Sequence, residues 1–275
     1  MNHCATPASY LCAYNAPFEA GLRQATIGAL TLVRVAAGFQ RQQRFRDAYH
    51  RRAGDWVDSV SRYRSILGAY GGRETRVLDL GCGHRGLDGD DTDCVQGAAV
   101  VGVEPDIDAL RANHVLSHRV RAAGESLPFG DGSFDLVASA WVLEHLDNPG
   151  LVFSEIARVL RPRGRFVFLT PNTWNYNAWM IRAVPNRLHQ PFTRRLYGRG
   201  QGDTYPVRYR ANSARTLRRL TAAAGFSAVH LDYNPDPSYI AFNQPLFEVA
   251  VALERIMDIP ALQRCRVHII GTAVR

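Results

Sequence analysis

Two carboxylates flank a glycine-rich turn in TRVLDLGCGHRGLDGDDTDCVQGAAVVGVE, residues 75–104. Asp79 lies inside an apolar run at 77–80, Gly81, Gly83 and Gly86 follow it, and Glu104 ends a second apolar run at 98–103. Glycine permits tight turns and lets a ligand approach the backbone closely. An acid at the end of a second strand can accept hydrogen bonds from both hydroxyls of a ribose, so the pattern predicts a nucleotide-type ligand. Read literally, Gly81, Gly83 and Gly86 spell G-x-G-x-x-G with an acid about twenty residues on, the signature of a dinucleotide site. Asp79 argues against that ligand, because its carboxylate repels a pyrophosphate and suits a cation.

Positioning those residues requires a strand, the turn, a helix and a second strand. Beyond Glu104, a helix opened by Pro105 and Asp106 is expected, then buried strands at 134–139 and 165–169 with a helix at 151–160 between them. A helix at 214–224, a strand at 229–233, a helix at 244–256 and a strand at 266–274 complete the pattern. Alternating strands and helices predict an α/β, doubly wound, mostly parallel sheet, and the ending fits an antiparallel last pair. Residues 1–70 form an expected helical N-terminal extension or lid on a main domain at 71–275. Within it, helices are expected at 21–39, through Leu22, Ile27, Leu30 and Val33, and at 40–70. The stripe Trp56, Val60, Tyr63 and Leu67 should pack on the sheet, while Phe45, Tyr49 and His50 suit either core or a lid over the ligand. Residues 170–213 interrupt the rhythm with aromatics and arginines, including Trp174, Tyr176, Trp179, Arg182, Arg187, Tyr205 and Tyr209. An insertion at the carboxyl end of a strand shapes a substrate pocket or is a plain surface excursion.

Composition removes whole classes of chemistry. All 33 positions counted as Lys+Arg are arginine, so Schiff-base lysines, P-loop lysines and lysine bases are excluded. The formal net charge of +8 is compatible with nucleic acid or an anionic membrane surface, although no basic low-complexity tail is present. Cys4, Cys12, Cys82, Cys94 and Cys265 contain no C-x-x-C pair, which predicts no metal site and a cytoplasmic setting. The longest apolar stretch, 25–39, contains Arg34 and falls short of the roughly 20 residues of a membrane span, and no basic region precedes it to suggest a cleaved leader. A chain of 275 residues with 46% hydrophobic content can bury a full core.

Taken with LPF at 127–129, DGSFDLV at 131–137 and VLEHL at 142–146, the glycine turn resembles the class I S-adenosylmethionine-dependent methyltransferases, in their small-molecule branch. The resemblance implies a seven-stranded Rossmann-like sheet and S-adenosyl-L-methionine as cofactor. It implies that Asp79, Gly81, Cys82 and Gly83 border the methionine end and that Glu104, with Pro105 and Asp106 behind it, takes the ribose. Gly124, Glu125, Ser126 and Leu127 would border the adenine, and Ser139, Ala140 and Trp141 would line the methyl-bearing sulfonium. Two positions depart from the pattern. Arg85 stands where a third glycine is usual, with glycine one residue later at Gly86, so a reshaped turn is expected. Ala123 stands where an aspartate commonly holds the adenine amino group, leaving that bond to Glu125 or to nothing.

The candidate base is His145, with His189, Tyr176, Asp203 and Tyr209 as further candidates. His145 is equally readable as a backbone-bonded residue at a helix start, and Glu144 as structural. The expected partner is a small-molecule methyl acceptor that is apolar or planar, lipid-like or natural-product-like, bearing a carboxylate or phosphate for the arginines. Trp174, Trp179, Met180 and Ile181 beside Arg182 and Arg187 also suit peripheral membrane contact, which flotation with anionic vesicles tests. RNA methylation is an alternative, disfavoured because residues 170–172 read TPN rather than the N-P-P-Y type of motif. A non-catalytic cofactor-binding scaffold is another.

Overall fold

The structure is a computed structural model that describes residues 29–84, 86–87, 92–176 and 206–275. Seven strands form one sheet: β1 (Arg76–Leu80), β2 (Ala99–Val103), β3 (His118–Val120), β4 (Phe134–Ala140), β5 (Leu160–Pro171), β6 (Ala228–Asn234) and β7 (His268–Val274). Their order is β3-β2-β1-β4-β5-β7-β6, with β7 antiparallel to both β5 and β6 and the other pairs parallel. The α/β sheet with its antiparallel finish is therefore as expected.

Because side chains alternate along a strand, the sheet has two apolar faces. Leu78, Leu80, Val137, Phe166 and Phe168 face α4 (Pro149–Val159) and α5 (Ala214–Ala223). Val77, Leu136, Ala138, Val167 and Leu169 face Tyr63 and Leu67 of α2 (Ser59–Tyr70). Where β5 meets β7, Phe168 pairs with Gly271, and the ring fills the space of an absent side chain: a Cβ on Gly271 would lie 2.1 Å from the ring's edge.

The N-terminal helices divide differently from the expectation. α1 (Ala29–Arg52) runs without a break through Gln40. The chain turns at 53–58 instead, where the Asp58 carboxylate caps α2 by accepting from the amides of Val60 and Ser61. Tyr63 and Leu67 do pack on the sheet, but Trp56 does not. It meets Tyr49 edge-on at 5.1 Å, in a separate cluster where Phe45 stacks at 4.9 Å on Phe247 of α6 (Gln244–Ile256). Phe45 and Tyr49 are thus buried core residues where α1 meets α6, while His50 is exposed with its Nδ1 2.9 Å from the Trp56 carbonyl. Residues 21–28 of the first expected helix lie outside the described residues.

Between the glycine turn and β2, the helix expected from the sequence is, among the described residues, a single 3-10 turn at Thr92–Val95. The helix after Glu104, α3 (Ile107–Ala112), is short and capped by Asp106 as expected. Among the described residues, no helix is long and apolar enough to cross a membrane.

Candidate active site

The strand order reverses between β1 and β4, and at such a switch point the carboxyl ends of the strands open a crevice. Gly81 follows β1 there with φ +75°, and a Cβ on it would stand 2.3 Å from Cγ2 of Val142. No larger residue fits between the turn and the loop after β4. Gly83, at φ +52°, is open above: a Cβ there would meet nothing within 4 Å. Its backbone is clamped from both sides. The amide donates to Oε2 of Glu104 at 3.0 Å, and the carbonyl accepts from Nδ2 of Asn113 at 3.0 Å. Glu104 also accepts the Asp106 amide at Oε1, 3.0 Å away. Burial raises its pKa above the ordinary range, and those two amide bonds act in the opposite direction.

Asp79 is buried at the floor of the turn, and its Oδ2 accepts the Leu87 amide at 2.8 Å. The displaced glycine now has a reason. Gly86 has φ +63°, and a Cβ there would meet Leu116 at 2.5 Å and Asp79 Oδ2 at 3.0 Å, so the loop folds back over the carboxylate only with glycine at 86. Gly86→Ala is expected to cost roughly 1–3 kcal/mol in left-handed strain and overlap; an unchanged melting temperature would refute this account of the turn. Cys82 contributes main chain: its amide donates to the Val103 carbonyl, and its thiol packs 2.7 Å from where a Gly102 Cβ would stand. Burial, with Asp79 and Glu104 nearby, keeps that thiol protonated.

The segment expected to border an adenine lies across the crevice. Gly124 packs near Val152 and Leu80, and the Ser126 amide donates to the Ala123 carbonyl. Leu127 is buried in the core, and its amide is committed to Oε2 of Glu155 at 2.7 Å, so that donor is spent inside the protein. Glu125 is half-buried and Pro105 exposed. At the end of β4, Ser139 is fully buried, and its Oγ has no hydrogen-bond partner among the described residues. Trp141 turns the chain with φ +61°, its amide donating to the Leu169 carbonyl. Ala140 lies beside it, half-buried against the α2 face.

His145 sits in the turn after β4, not at a helix start: its amide donates to Val142, and its Nδ1 lies 3.1 Å from the Pro206 carbonyl. It is close enough to Glu104 to lower that group's pKa slightly. Tyr176 is buried and donates its hydroxyl to Glu254 Oε1 at 2.7 Å, and burial plus that carboxylate hold it far above its ordinary pKa. It is a donor, not a base. Tyr209 is exposed, and His189 and Asp203 lie outside the described residues, as does the insertion at 177–205. The insertion's two ends are tied together, Thr173 donating through its amide and hydroxyl to the Asn212 carbonyl.

The sequence did not disclose a polar cluster at the same edge of the sheet. His268 begins β7, opposite Pro171 at the end of β5. Its Nδ1 lies 2.8 Å from Ser59 Oγ and its Nε2 3.1 Å from the Tyr239 hydroxyl, so either tautomer satisfies both nitrogens. The Trp141 indole meets its ring edge-on at 4.9 Å and Tyr239 does so at 5.3 Å. Burial pushes His268 down to about 4, leaving it a neutral imidazole at pH 7. Asn234 donates to Ser59 Oγ, and Arg46 grips Asp236 through Nε and Nη2 at 3.2 and 2.7 Å. A second buried group joins Glu144, Thr170 and Asn212, Thr170 donating to Glu144 and accepting from Asn212. Burial raises Glu144 to about 7. Asn172 is spent on structure, Nδ2 donating to the carbonyls of Arg264 and Arg266, so it is not presented to a ligand.

Comparison with known proteins accords with this geometry. A model of the methyltransferase domain matches residues 78–168. An uncharacterized methyltransferase of Mycolicibacterium gilvum (strain PYR-GCK) is 30% identical over 197 residues, 65% of this chain and 74% of that protein. One from Mycobacterium sp. (strain KMS) is 40% identical over 88 residues, and the match spans only 32% of its length. Among solved structures, Haemonchus contortus phosphoethanolamine N-methyltransferase 2 in complex with S-adenosyl-L-methionine aligns with TM-score 0.51 at 16% identity, over 78% of this chain and 52% of that one. A geranyl diphosphate methyltransferase in complex with GPP and sinefungin aligns with TM-score 0.51 at 16% identity, over 78% and 77%. At such identities the likeness is one of fold. The chain belongs to the class I S-adenosylmethionine-dependent methyltransferases.

Proposed function

We propose that this protein transfers a methyl group from S-adenosyl-L-methionine to an apolar or aromatic small molecule. The observation that carries the proposal is the open cradle over Gly83, with Glu104 on its amide and Asp79 at the end of the preceding strand; at the same edge of the sheet Trp141 contacts the buried His268. The residues fit the cofactor. Each Glu104 oxygen keeps a lone pair for a ribose hydroxyl beyond the amide it already accepts, and Asp79 supplies negative charge for the amino-acid end. When bound, the sulfonium supplies an activated methyl group.

What remains for the chain is placement, with the acceptor atom held in line about 3 Å from the methyl carbon and little water nearby. Trp141 supplies an apolar wall beside that position. An acceptor that must lose a proton finds the Tyr239 hydroxyl and the neutral His268 behind it, which together can accept and pass it on. Nucleic acid is disfavoured as acceptor, since Asn172 is turned away into the 264–266 backbone.

Incubation with methyl-labelled cofactor and a host extract should label a small organic-soluble compound. Label in RNA would overturn the acceptor class, and cofactor binding without any labelled product would favour a non-catalytic role. With the acceptor in hand, Tyr239→Phe is expected to lower kcat at least tenfold while cofactor affinity stays within about twofold, a loss near 1.4 kcal/mol of transition-state stabilisation. An unchanged kcat would remove the Tyr239 and His268 pair from the chemistry.

A further inference from the structure

Away from the glycine turn, α1 and the start of α6 border an open groove of about 480 Å³ lined by Gln40, Arg41, Arg44, Phe45, Phe242 and the side chains of Asn243 and Gln244. Its electrostatics are one-sided. Elsewhere on α1, Arg46 pairs with Asp236 and Arg52 with Glu248. Among the described residues, Arg41 and Arg44 have no carboxylate partner and no acid lines the groove. The Arg41 guanidinium lies over the Phe242 ring, 5.4 Å from its centroid. Its Nε is buried and without a hydrogen-bond partner among the described residues. A buried donor left unmade is costly, and the Nη groups of the same guanidinium are the donors that a ligand oxygen would meet.

We propose that this groove binds an organic phosphate: a phosphate or diphosphate group attached to a flat or apolar body. Residues three apart on a helix stand on one face, with Cβ atoms about 5–6 Å apart, so both guanidinium groups can reach one anion. Arginine forks match the oxygens of phosphate two at a time. A phosphate carries about −1.5 to −2 charges at pH 7, which suits two cations better than a single carboxylate does. The volume exceeds what a bare phosphate fills and lies in the range of small-molecule pockets. Phe45 and Phe242 provide the apolar wall for the remainder, and the side-chain amide of Gln40 stands at its edge, whereas that of Gln244 donates to Glu248 Oε1 at 2.7 Å. The site stands whether or not the crevice at β1 and β4 transfers methyl groups.

The test is calorimetric titration of the whole chain with phenyl phosphate, inorganic pyrophosphate and inorganic phosphate, at constant ionic strength. One phenyl phosphate should bind per chain, more tightly than inorganic phosphate. The double variant Arg41→Gln with Arg44→Gln should weaken it at least tenfold and leave S-adenosylmethionine affinity unchanged. Arg51→Gln, on an exposed position of the same helix, should change neither. Lysine at 41 and 44 keeps the charge but not the forks, and should restore only part of the affinity. Flotation with phosphatidic acid vesicles separates the sources: flotation lost in the double variant assigns the phosphate to a lipid headgroup, and phenyl phosphate binding without flotation assigns a soluble ligand. If the double variant, shown folded by an unchanged melting temperature, binds phenyl phosphate as the parent does, the proposal is wrong.

Discussion

Glu104→Ala is expected to weaken S-adenosylmethionine binding at least tenfold, about 1.4 kcal/mol, in calorimetric titration. The effect has two sources. The carboxylate is the acceptor proposed for the ribose, and it also anchors the amides of Gly83 and Asp106 at 3.0 Å each. Alanine therefore removes the ligand's acceptor and frees the turn that forms the cradle. Glu104→Gln keeps one acceptor oxygen and should fall between alanine and the parent. Asp79→Ala should also cost at least tenfold, because the negative charge proposed for the amino-acid end is lost and the Leu87 amide loses its acceptor. If both alanine variants bind as the parent does, the cofactor lies somewhere other than this crevice. Circular dichroism at the titration temperature separates a lost contact from a lost fold.

The glycine turn and its acids were legible because they are contiguous: a strand, a turn requiring positive φ and the next strand all lie within about thirty residues, and local chemistry fixes each. Gly86 was legible as an oddity but not as a necessity, since Leu116, the side chain that forbids a Cβ there, comes from another segment. Asn113 was missed for a related reason. Its signal is an asparagine just past a short helix, a position suited to turning the chain, where its side chain accepts the Val115 and Leu116 amides while donating to Gly83. The helix break was misplaced because arginine and glutamine at 40–44 are good helix formers. Asp58, the residue that starts α2, carries a cap signal inside a charged stretch that hid it. The cluster around His268 was out of reach altogether. Ser59 meets His268 across 209 residues and Arg46 meets Asp236 across 190, and no periodicity encodes such pairings.

That long-range cluster sets the second large effect, on stability. Asp236→Ala is expected to destabilise the protein by about 2–4 kcal/mol in denaturant unfolding at pH 7. A broken buried ion pair costs roughly 3–5 kcal/mol and an exposed one about 0–1. The Asp236 side chain is 4% exposed, but Arg46 is 26% exposed and recovers some hydration once alone, which places the cost between those limits. The Ser238 amide and hydroxyl, both donors to Asp236 Oδ1, lose their acceptor as well. Burial alone would raise Asp236, yet Arg46, His268 and the Ser238 bond hold it below the ordinary aspartate value. Its contribution is therefore present above the unfolded pKa of about 3.9 and lost only as pH falls through the lower folded value. His268 acts over a different window. Its folded pKa is depressed from 6.5 to about 4, so the unfolded chain binds the extra proton between those values. Stability from this group is complete above about pH 6.5, declines as pH falls toward 4 and is level below, a change of about 3 kcal/mol. His268→Gln should flatten the curve between pH 6.5 and 4, whereas Asp236→Asn should leave a slope there and shift the limb below pH 4. Parallel curves for the parent and His268→Gln across pH 4 to 6.5 would mean that the imidazole is not the neutral, enclosed group between Ser59 and Tyr239, and the proton-handling role proposed for it would fall too.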